Sequence, residues 1–432
     1  MSTLSIKVEV NYPGIDGNFK QFEQNVKNEV FRAGQELIRQ AIDLYEKQKL
    51  DTGGYTIKEK LFRWIDTTLG TMEIMRYKII DHNPKQGEPR VRFLVDKWMG
   101  IGKYQRETEL LRDQICNQTV QRSFRKSARE IKNITSTPMS PMRIWDITQR
   151  EAQKQKKLNK PIYRLPYTPL PDPVHKDQCP ILCIEPDATY CHNKREWWKN
   201  HEVKVAILYT HKIKEGKKRW KLLNKTAVIS KRNESVEKFL SRVAHVAVQK
   251  YQAHEKTKVV IRGDGDSWIS RLKYDHFRQA SFYLDPYHVF KKLELALGSR
   301  EAAKKLKIHV YQQNPWRLLQ EIKKLISQFA DAQDKKKLED FYYYIRHNIE
   351  GLLPDKDEIA PFKKQYPSLF KRGSGAIERN IALVINDRCK QPRMSWSEKG
   401  LDNILTLRES WLNKQFLKTP SKRFATLKEA IA

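Results

Sequence analysis

Three acidic residues, spread from the middle of the chain towards its end, stand where carboxylates could bind divalent metal ions. Asp187 and Asp264 each end an apolar run, and Glu378 lies one turn into a predicted amphipathic helix. Burying an unpaired carboxylate is costly, so such a group is normally paired with a cation or coordinated to a metal. Oxygen ligands of this kind suit Mg²⁺ or Mn²⁺. Two such ions can hold the attacking and departing oxygens of an in-line phosphoryl transfer, which is the chemistry that these acids predict.

Two further acids are rival ligands. Side chains alternate between the two faces of a strand, so Asp266 shares a face with Asp264, and Glu185 shares one with Asp187. Asp264 is favoured over Asp266 because it directly ends the apolar run. The glycines on either side of Asp264 would also let a phosphate or another backbone approach closely.

The elements that must position these acids are short strands in an α/β domain. Three consecutive strands, a helix at 235–254, a further strand, a short connection and another strand predict a mixed sheet, in the order of the ribonuclease-H-like fold. The predicted strands are 180–191, 203–214, 218–229, 257–264 and 280–285. Residues 179–298 would form the first part of this catalytic domain, 299–372 an all-helical insertion, and 373–432 a final helix and a C-terminal tail.

The region before this domain is predicted to be helical and to bind DNA. Residues 1–104 combine a long helix at 19–49 with a small β-hairpin built from 71–79 and 90–94. In 105–160, helices at 123–134 and 141–157 flank a short break, as in a helix-turn-helix pair. Five prolines mark 161–178 as a linker. The alternative is an ordinary helical hairpin with solvated basic faces. In a DNA-binding pair, the second helix would offer four polar side chains to a DNA groove: Arg143, Gln149, Arg150 and Lys154.

The composition supports a nucleic-acid partner. The 432 residues carry 83 Lys and Arg against 51 Asp and Glu, a net charge of +32, which favours a polyanion such as DNA. With 39% apolar residues, the chain is globular and not a disordered polycation. Apolar runs are too short to span a membrane, and the first thirty residues lack an apolar signal core. Five cysteines argue against a disulfide framework and for a reducing compartment.

The order of Asp187, Asp264 and Glu378 resembles that of the DDE transposases of bacterial insertion sequences. The chain is most similar to the Lre-type enzymes, which are akin to Mutator-like transposases. Three strings carry the resemblance, which spans roughly 55–407: Gly263–Ile269, Leu284–His288, and Ile377-Glu378 with the later Arg388 and Arg393–Ser397. Two features depart from the family pattern, Ala188 where glycine is expected and the additional acid Asp266.

The resemblance implies a function and an assembly. It implies a transposase that binds the ends of an insertion sequence, cleaves DNA with two Mg²⁺ or Mn²⁺ ions, and joins the freed 3′-hydroxyl to double-stranded target DNA. It further implies a homodimer or larger oligomer on DNA, in the bacterial cytoplasm at the nucleoid. Three rivals remain: a nuclease or resolvase of the same fold that cannot join, a domesticated DNA-binding protein, and an RNA-binding scaffold.

Several residues near the expected site have more than one interpretation. His288, in an aspartate-x-x-histidine element with Asp285, could orient a catalytic aspartate, order a turn or contact DNA. Arg388 could bind a phosphate or be a surface arginine. Trp268 and Trp316 could stack on a flipped base or belong to the core. A zinc site is a weaker alternative to small buried cysteines, and its ligands would come from His175, Cys179, Cys183, Cys191 and His192.

Overall fold

A computed structural model describes most of the chain as two compact units, Met1–Lys154 and Gln155–Ala432. The described residues are 3–11, 18–173, 179–195, 200–216, 220–354, 357–370, 376–392 and 394–415. Parts of three predicted features therefore lie outside the described residues. They are the end of the linker, which includes His175; Arg393 of the third resemblance string; and the last residues of the tail.

The first unit begins with a long helix and a three-stranded antiparallel sheet in the order β1-β2-β3. The predicted hairpin is the β2–β3 pair, whereas strand β1 was not predicted, because most of its first ten residues are exposed on both faces. The helix and sheet share a core of Ile42, Ile65, Met72, Ile74, Val95 and Ile101. The elements are α1 (Phe19–Asp51), β1 (Tyr55–Thr67), β2 (Gly70–Asp81), β3 (Val91–Phe93) and α2 (Leu94–Trp98).

Three further helices complete this unit around a second core. They are α3 (Glu109–Thr119), α4 (Phe124–Thr135) and α5 (Pro141–Leu158). Both helices predicted for the helix-turn-helix pair are confirmed as helices, and Ser140 caps α5 by accepting a hydrogen bond from the Arg143 N–H (3.1 Å). The apolar contacts between the three helices come from Leu111, Ile115, Ala128, Ile131, Ile144 and Ile147.

Glu46, fully buried in α1, makes the first unit sensitive to pH. Burial raises the pKa of its carboxyl from 4.5 to about 7. The folded state therefore binds the proton more tightly than the unfolded state, so stability falls as pH rises from 4.5 through 7. At pH well above 7 the ionised carboxylate costs about 3 kcal/mol.

We expect Glu46→Gln to raise the free energy of unfolding by about 2–3 kcal/mol at alkaline pH and to change it little at acid pH. Glutamine keeps an acceptor for the Tyr77 N–H, which donates to Glu46 Oε1 (3.0 Å). Denaturant unfolding as a function of pH measures the difference. The exposed Glu23→Gln is the matched control, and an equal gain in both variants would contradict the assignment.

The second unit is built on a five-stranded mixed sheet in the order β10-β9-β4-β5-β8, which confirms the predicted mixed α/β sheet. Strands β4 and β5 are antiparallel, as are β5 and β8, whereas β4, β9 and β10 run parallel. The elements are β4 (Ile181–Cys191), β5 (His201–Tyr209), β6 (His211–Lys214), β7 (Trp220–Leu223), β8 (Thr226–Ile229), α6 (Val236–Tyr251), β9 (Lys258–Gly263), α7 (Ser267–His276), β10 (Ser281–Leu284) and α8 (Pro286–Leu297).

Helices follow the sheet to the end of the described chain. Those of the predicted insertion share one continuous core with the sheet, through side chains such as Leu318, Phe341 and Ile345. The helices are α9 (Arg300–Tyr311), α10 (Pro315–Gln328), α11 (Ala332–His347), α12 (Ala360–Gln365), α13 (Ala376–Ile381), α14 (Asp387–Cys389) and α15 (Glu398–Leu412), with a π-helical turn at Ala382–Asn386 and 3₁₀ turns at Ile349–Leu352, Asp357–Ile359 and Pro367–Leu369.

The last helix covers an edge of the sheet. Strand β8 is an edge strand, and unpaired edges invite aggregation. The Ile229 N–H donates to Glu409 Oε1 (3.1 Å), and the Asn413 side chain both accepts from Ala227 N–H (2.9 Å) and donates to Ala227 C=O (2.8 Å). Side chains from the end of α15 thus replace a neighbouring strand.

Across the described ranges, no helix has the length and apolar character needed to cross a membrane.

Candidate active site

A narrow cleft of the second unit is lined by acids from three adjacent strands. In the parallel register Ile184 pairs with Ile261, so three residues further along Asp187 lies level with Asp264. Leu284 pairs with Gly263, so the next residue, Asp285, also lies level with Asp264. The carboxyl ends of β9 and β10 meet at one edge of the sheet, and this is why their terminal acids share the cleft.

Glu378 lies on a helix next to this cleft. Helix α13 packs against β4 and β5. His288, one turn into α8, lines the cleft and lies 3.5 Å from Glu378 (Nε2 to Oε1). Among the described residues, one group has metal-ligand atoms that all lie within 4.8 Å of one another, and it consists of Asp285, His288 and Glu378. Glu378 therefore lies near Asp285 and His288, whereas Asp187 and Asp264 fall outside this group of close ligand atoms.

The acids of the cleft influence one another's protonation. Burial, together with the charges of Asp264 and Glu378, raises the pKa of Asp187 to about 6, although the hydrogen bond from the Ala188 N–H opposes this rise. Burial also raises the pKa of Asp285, again with a contribution from Glu378. The cleft thus concentrates more negative charge than its own side chains neutralise.

His288 is the basic side chain in contact with Glu378. Its contact with Glu378 is the main reason why the pKa of His288 is raised, and the same contact lowers the pKa of Glu378. Asp285, by contrast, caps α8 by accepting from the Tyr287 N–H (2.9 Å). The histidine can hold the Glu378 carboxylate in place, while Asp285 also orders the strand-to-helix turn.

The residues present fit a divalent cation. Within the described part of the chain, Glu378 Oε2 is a buried carboxylate oxygen without a hydrogen-bond donor. The atoms that could coordinate a metal here are mostly carboxylate oxygens, which Mg²⁺ and Mn²⁺ prefer as ligands. A cation bound among them would also offset the burial, and the repulsion from Asp264 and Glu378, that raise the pKa of Asp187.

The two rival acids are placed differently. Glu185 is 1% exposed, accepts from the Tyr209 hydroxyl (2.5 Å) and lies 3.8 Å from Arg262 Nη1, so its charge already has protein partners. Asp266 is exposed at the start of α7, and its N–H donates to Asp264 Oδ1 (3.0 Å). This turn orients Asp264 and leaves Asp266 at the rim.

Side chains of the predicted insertion hold the backbone of the Asp264 turn, and this role was not predicted from the sequence. The Tyr344 hydroxyl donates to Asp264 C=O (2.6 Å), and Asn348 Nδ2 donates to Gly265 C=O (3.1 Å). Gly265 has a positive φ of 88°, and a Cβ there would lie 2.8–2.9 Å from Leu284, Tyr344 and Asn348. The turn therefore needs glycine both for its conformation and for its tight packing.

We expect Tyr344→Phe to lower the free energy of unfolding by about 1 kcal/mol, because a carbonyl packed under α11 loses its donor. Thermal or denaturant unfolding measures the loss. The neighbouring Tyr343 is 53% exposed, so Tyr343→Phe is the matched control and should change stability little. Equal stability of the two variants would show that the Tyr344 hydroxyl does not hold the turn.

Arg388 lies in the core of the unit. It is 1% exposed, and its guanidinium sits 4.9 Å from the centre of the Trp396 ring. Arg388 is ten residues beyond Glu378, and the π-helical turn at Ala382–Asn386 lies between them. Trp396 in turn donates from Nε1 to Cys389 C=O (3.0 Å). The contacts shown for Arg388 and Trp396 are structural, and phosphate binding by Arg388 stays a prediction.

The residues predicted to contact DNA differ in their exposure to solvent. Trp316 is 60% exposed on α10, whereas Trp268 packs edge-on against Phe239 in the core. Arg143 and Arg150 both pair with the buried Glu107. Gln149 is 8% exposed, and Lys154 pairs with Glu151 (2.7 Å). Three of the four α5 residues thus lie against the protein, and their role in DNA contact stays a prediction.

The cysteines do not assemble a zinc site in the described part of the chain. Cys183 and Cys191 lie on the same strand eight residues apart, which is about 26 Å. Burial raises the pKa of both thiols to about 12, so they stay protonated. They are small buried hydrophobic residues, and His175 lies outside the described residues.

Comparisons with known proteins give a family and a distant structural likeness. The model of the Uncharacterised protein family (UPF0236) matches residues 16–418. One UPF0236 protein of Caldanaerobacter subterraneus subsp. tengcongensis is 22% identical over 410 residues, covering 90% of this chain and 77% of its own. A second from the same organism is 22% identical over 414 residues, covering 90% and 78%. A solved Drosophila P element transposase strand transfer complex aligns at 10% identity with a TM-score of 0.23, covering 71% of this chain and 79% of that chain.

Proposed function

This chain belongs to the Uncharacterised protein family (UPF0236), and we propose that it is a DNA transposase that cleaves and joins DNA strands at the cleft of Asp187, Asp264 and Glu378. The observation that carries the proposal is the convergence of acids from β4, β9, β10 and α13 on one narrow cleft. The strand order β10-β9-β4-β5-β8 supports a ribonuclease-H-like catalytic domain, since it is the order expected for that fold.

The cleft suits phosphoryl transfer through its charge. Mg²⁺ or Mn²⁺ bound there would neutralise charge on the phosphate and assist the attacking and departing oxygens. Asp187, Asp264 and Glu378 would supply the carboxylates, and Asp285 extends this set. His288 would hold the Glu378 side chain at the required position through the 3.5 Å contact.

Exposed lysines beside the cleft can hold the DNA strand in place. Lys390 Nζ contacts Thr189 Oγ1 (2.8 Å), two residues beyond Asp187 on the same face of β4. Lys292 lies over the Tyr344 ring (4.0 Å), and its charge partly opposes the burial that raises the pKa of Asp266 at the rim. Positioning and charge neutralisation of this kind supply most of the catalysis in phosphoryl transfer.

The partners follow from the charge and from the reaction. A net charge of +32 suits double-stranded DNA as both transposon end and target. Pairing two ends requires a homodimer or larger oligomer, and we place this reaction in the bacterial cytoplasm at the nucleoid.

The test is cleavage and joining of labelled duplex DNA that carries the element's own flanking ends, with Mg²⁺ or Mn²⁺ added or withheld. We expect metal-dependent products that disappear in Asp264→Asn, while DNA binding persists. Cleavage without joining would favour a nuclease or resolvase. DNA binding without cleavage under either metal would favour a DNA-binding protein that has lost catalysis.

A further inference from the structure

One helix of the first unit presents an unusually free set of positive charges. We name its Arg125, Lys126, Arg129 and Lys132 the α4 basic face. All four side chains are exposed, and none forms an ion pair with any described residue. The one acid of this helix, Glu130, pairs with Arg122 just before it (3.1 Å).

Many basic side chains of the same unit are paired. Arg63 and Arg76 share Asp96, and the two arginines of α5 share the buried Glu107. Such pairs keep these arginines in the internal charge network of the unit. The α4 basic face stands outside that network, so its charges are available to a partner.

The helix holds this face rigidly outward. Its opposite side buries Ser127, Ala128, Ile131 and Thr135 in the helical core. At a rise of 1.5 Å per residue, the charges from Arg125 to Lys132 extend over about 10 Å, which is comparable to several phosphates of a duplex. Lys126 and Arg129 also line a shallow groove with Arg122 and Asn133.

We propose that the α4 basic face binds the phosphate backbone of double-stranded DNA; this inference rests on the proposed function. In a helix-turn-helix pair the first helix crosses the backbone, and α4 is the first helix of this pair. Recognition of single strands uses stacked aromatic rings, whereas the four residues of this face are all basic. The contact is therefore electrostatic and independent of base sequence.

The test is the salt dependence of duplex binding by the full chain, measured by fluorescence anisotropy. Each phosphate contact contributes about 0.9 to the slope of log affinity against log salt. We expect the quadruple variant Arg125→Gln, Lys126→Gln, Arg129→Gln, Lys132→Gln to reduce the slope by roughly 3–4. Two double variants, Arg125→Gln with Arg129→Gln and Lys126→Gln with Lys132→Gln, should each reduce it by about 2, and they replace the quadruple variant if that fails to fold.

The matched control removes the same charge from exposed lysines of α9 and α11: Lys304→Gln, Lys305→Gln, Lys335→Gln and Lys336→Gln. The proposal is overturned if the α4 variants keep the wild-type slope, if the control loses as much, or if a duplex of RNA binds more tightly through the same face. A different result would contradict the proposed function alone: DNA binding through the α4 basic face without metal-dependent cleavage by the wild type.

Discussion

Replacing Asp187 with asparagine is expected to lower the rate of metal-dependent strand cleavage by roughly 1000-fold. The change keeps the shape of the side chain but removes a charge that would help to hold a divalent cation level with Asp264. Stabilisation of transition-state charge by such a cation is worth several kcal/mol, and about 4 kcal/mol corresponds to this factor. Initial rates of cleavage at saturating Mn²⁺ measure the loss.

The free energy of unfolding of Asp187→Asn, unlike its cleavage rate, should not fall. Burial and neighbouring acids raise the pKa of Asp187 to about 6, so its ionised form destabilises the metal-free protein above that pH. Asp187→Asn should therefore leave the metal-free protein at least as stable as wild type. The exposed Asp340→Asn on α11 is the control for activity. Wild-type cleavage rates in Asp187→Asn would remove this residue from the site.

The largest expected loss of stability is that of Arg242→Met. Arg242 is 6% exposed and binds both oxygens of Glu234 (2.9 Å each), Glu409 Oε1 (3.1 Å) and the Ile229 carbonyl (2.6 Å). Removing the Arg242 guanidinium leaves Glu234 and Glu409 largely shielded from solvent and without their shared partner. Breaking a buried pair in this way costs about 3–5 kcal/mol.

Denaturant unfolding at neutral pH measures this loss. The surface pair of Arg232 and Glu398, whose side chains are 46% and 48% exposed, provides the control. Arg232→Met should cost less than about 1 kcal/mol. Similar losses in both variants would show that the Arg242 network does not stabilise the edge of the sheet.

The sheet and its acids could be predicted because each signal is local. A short apolar run ended by an acid predicts a buried strand with a polar end, and this applies to Asp264 and Asp285 alike. The relation between Glu378 and His288 could be guessed only from the family resemblance, because some ninety residues separate them in the chain. That the accessory pair Asp285 and His288 lies nearest to Glu378 is visible only in the folded chain.

Other features had no usable local signal. Helix α15 lies in the predicted C-terminal tail and was not predicted as a helix, because buried polar residues interrupt its apolar period: Asn403, Thr406, Arg408 and Ser410. The contact of Tyr344 with the Asp264 turn joins residues eighty positions apart and depends on how α11 packs. The π-helical turn after α13 could not be predicted from the sequence either.

The most direct test of the central claim is Mn²⁺ binding to the cleft, followed by electron paramagnetic resonance of the free ion. We predict that the full chain binds Mn²⁺ and that the double variant Asp187→Asn, Asp264→Asn loses this binding, whereas Asp340→Asn keeps it. Identical binding curves for the wild type and the double variant would contradict a metal site at these carboxylates, and with it the proposed chemistry.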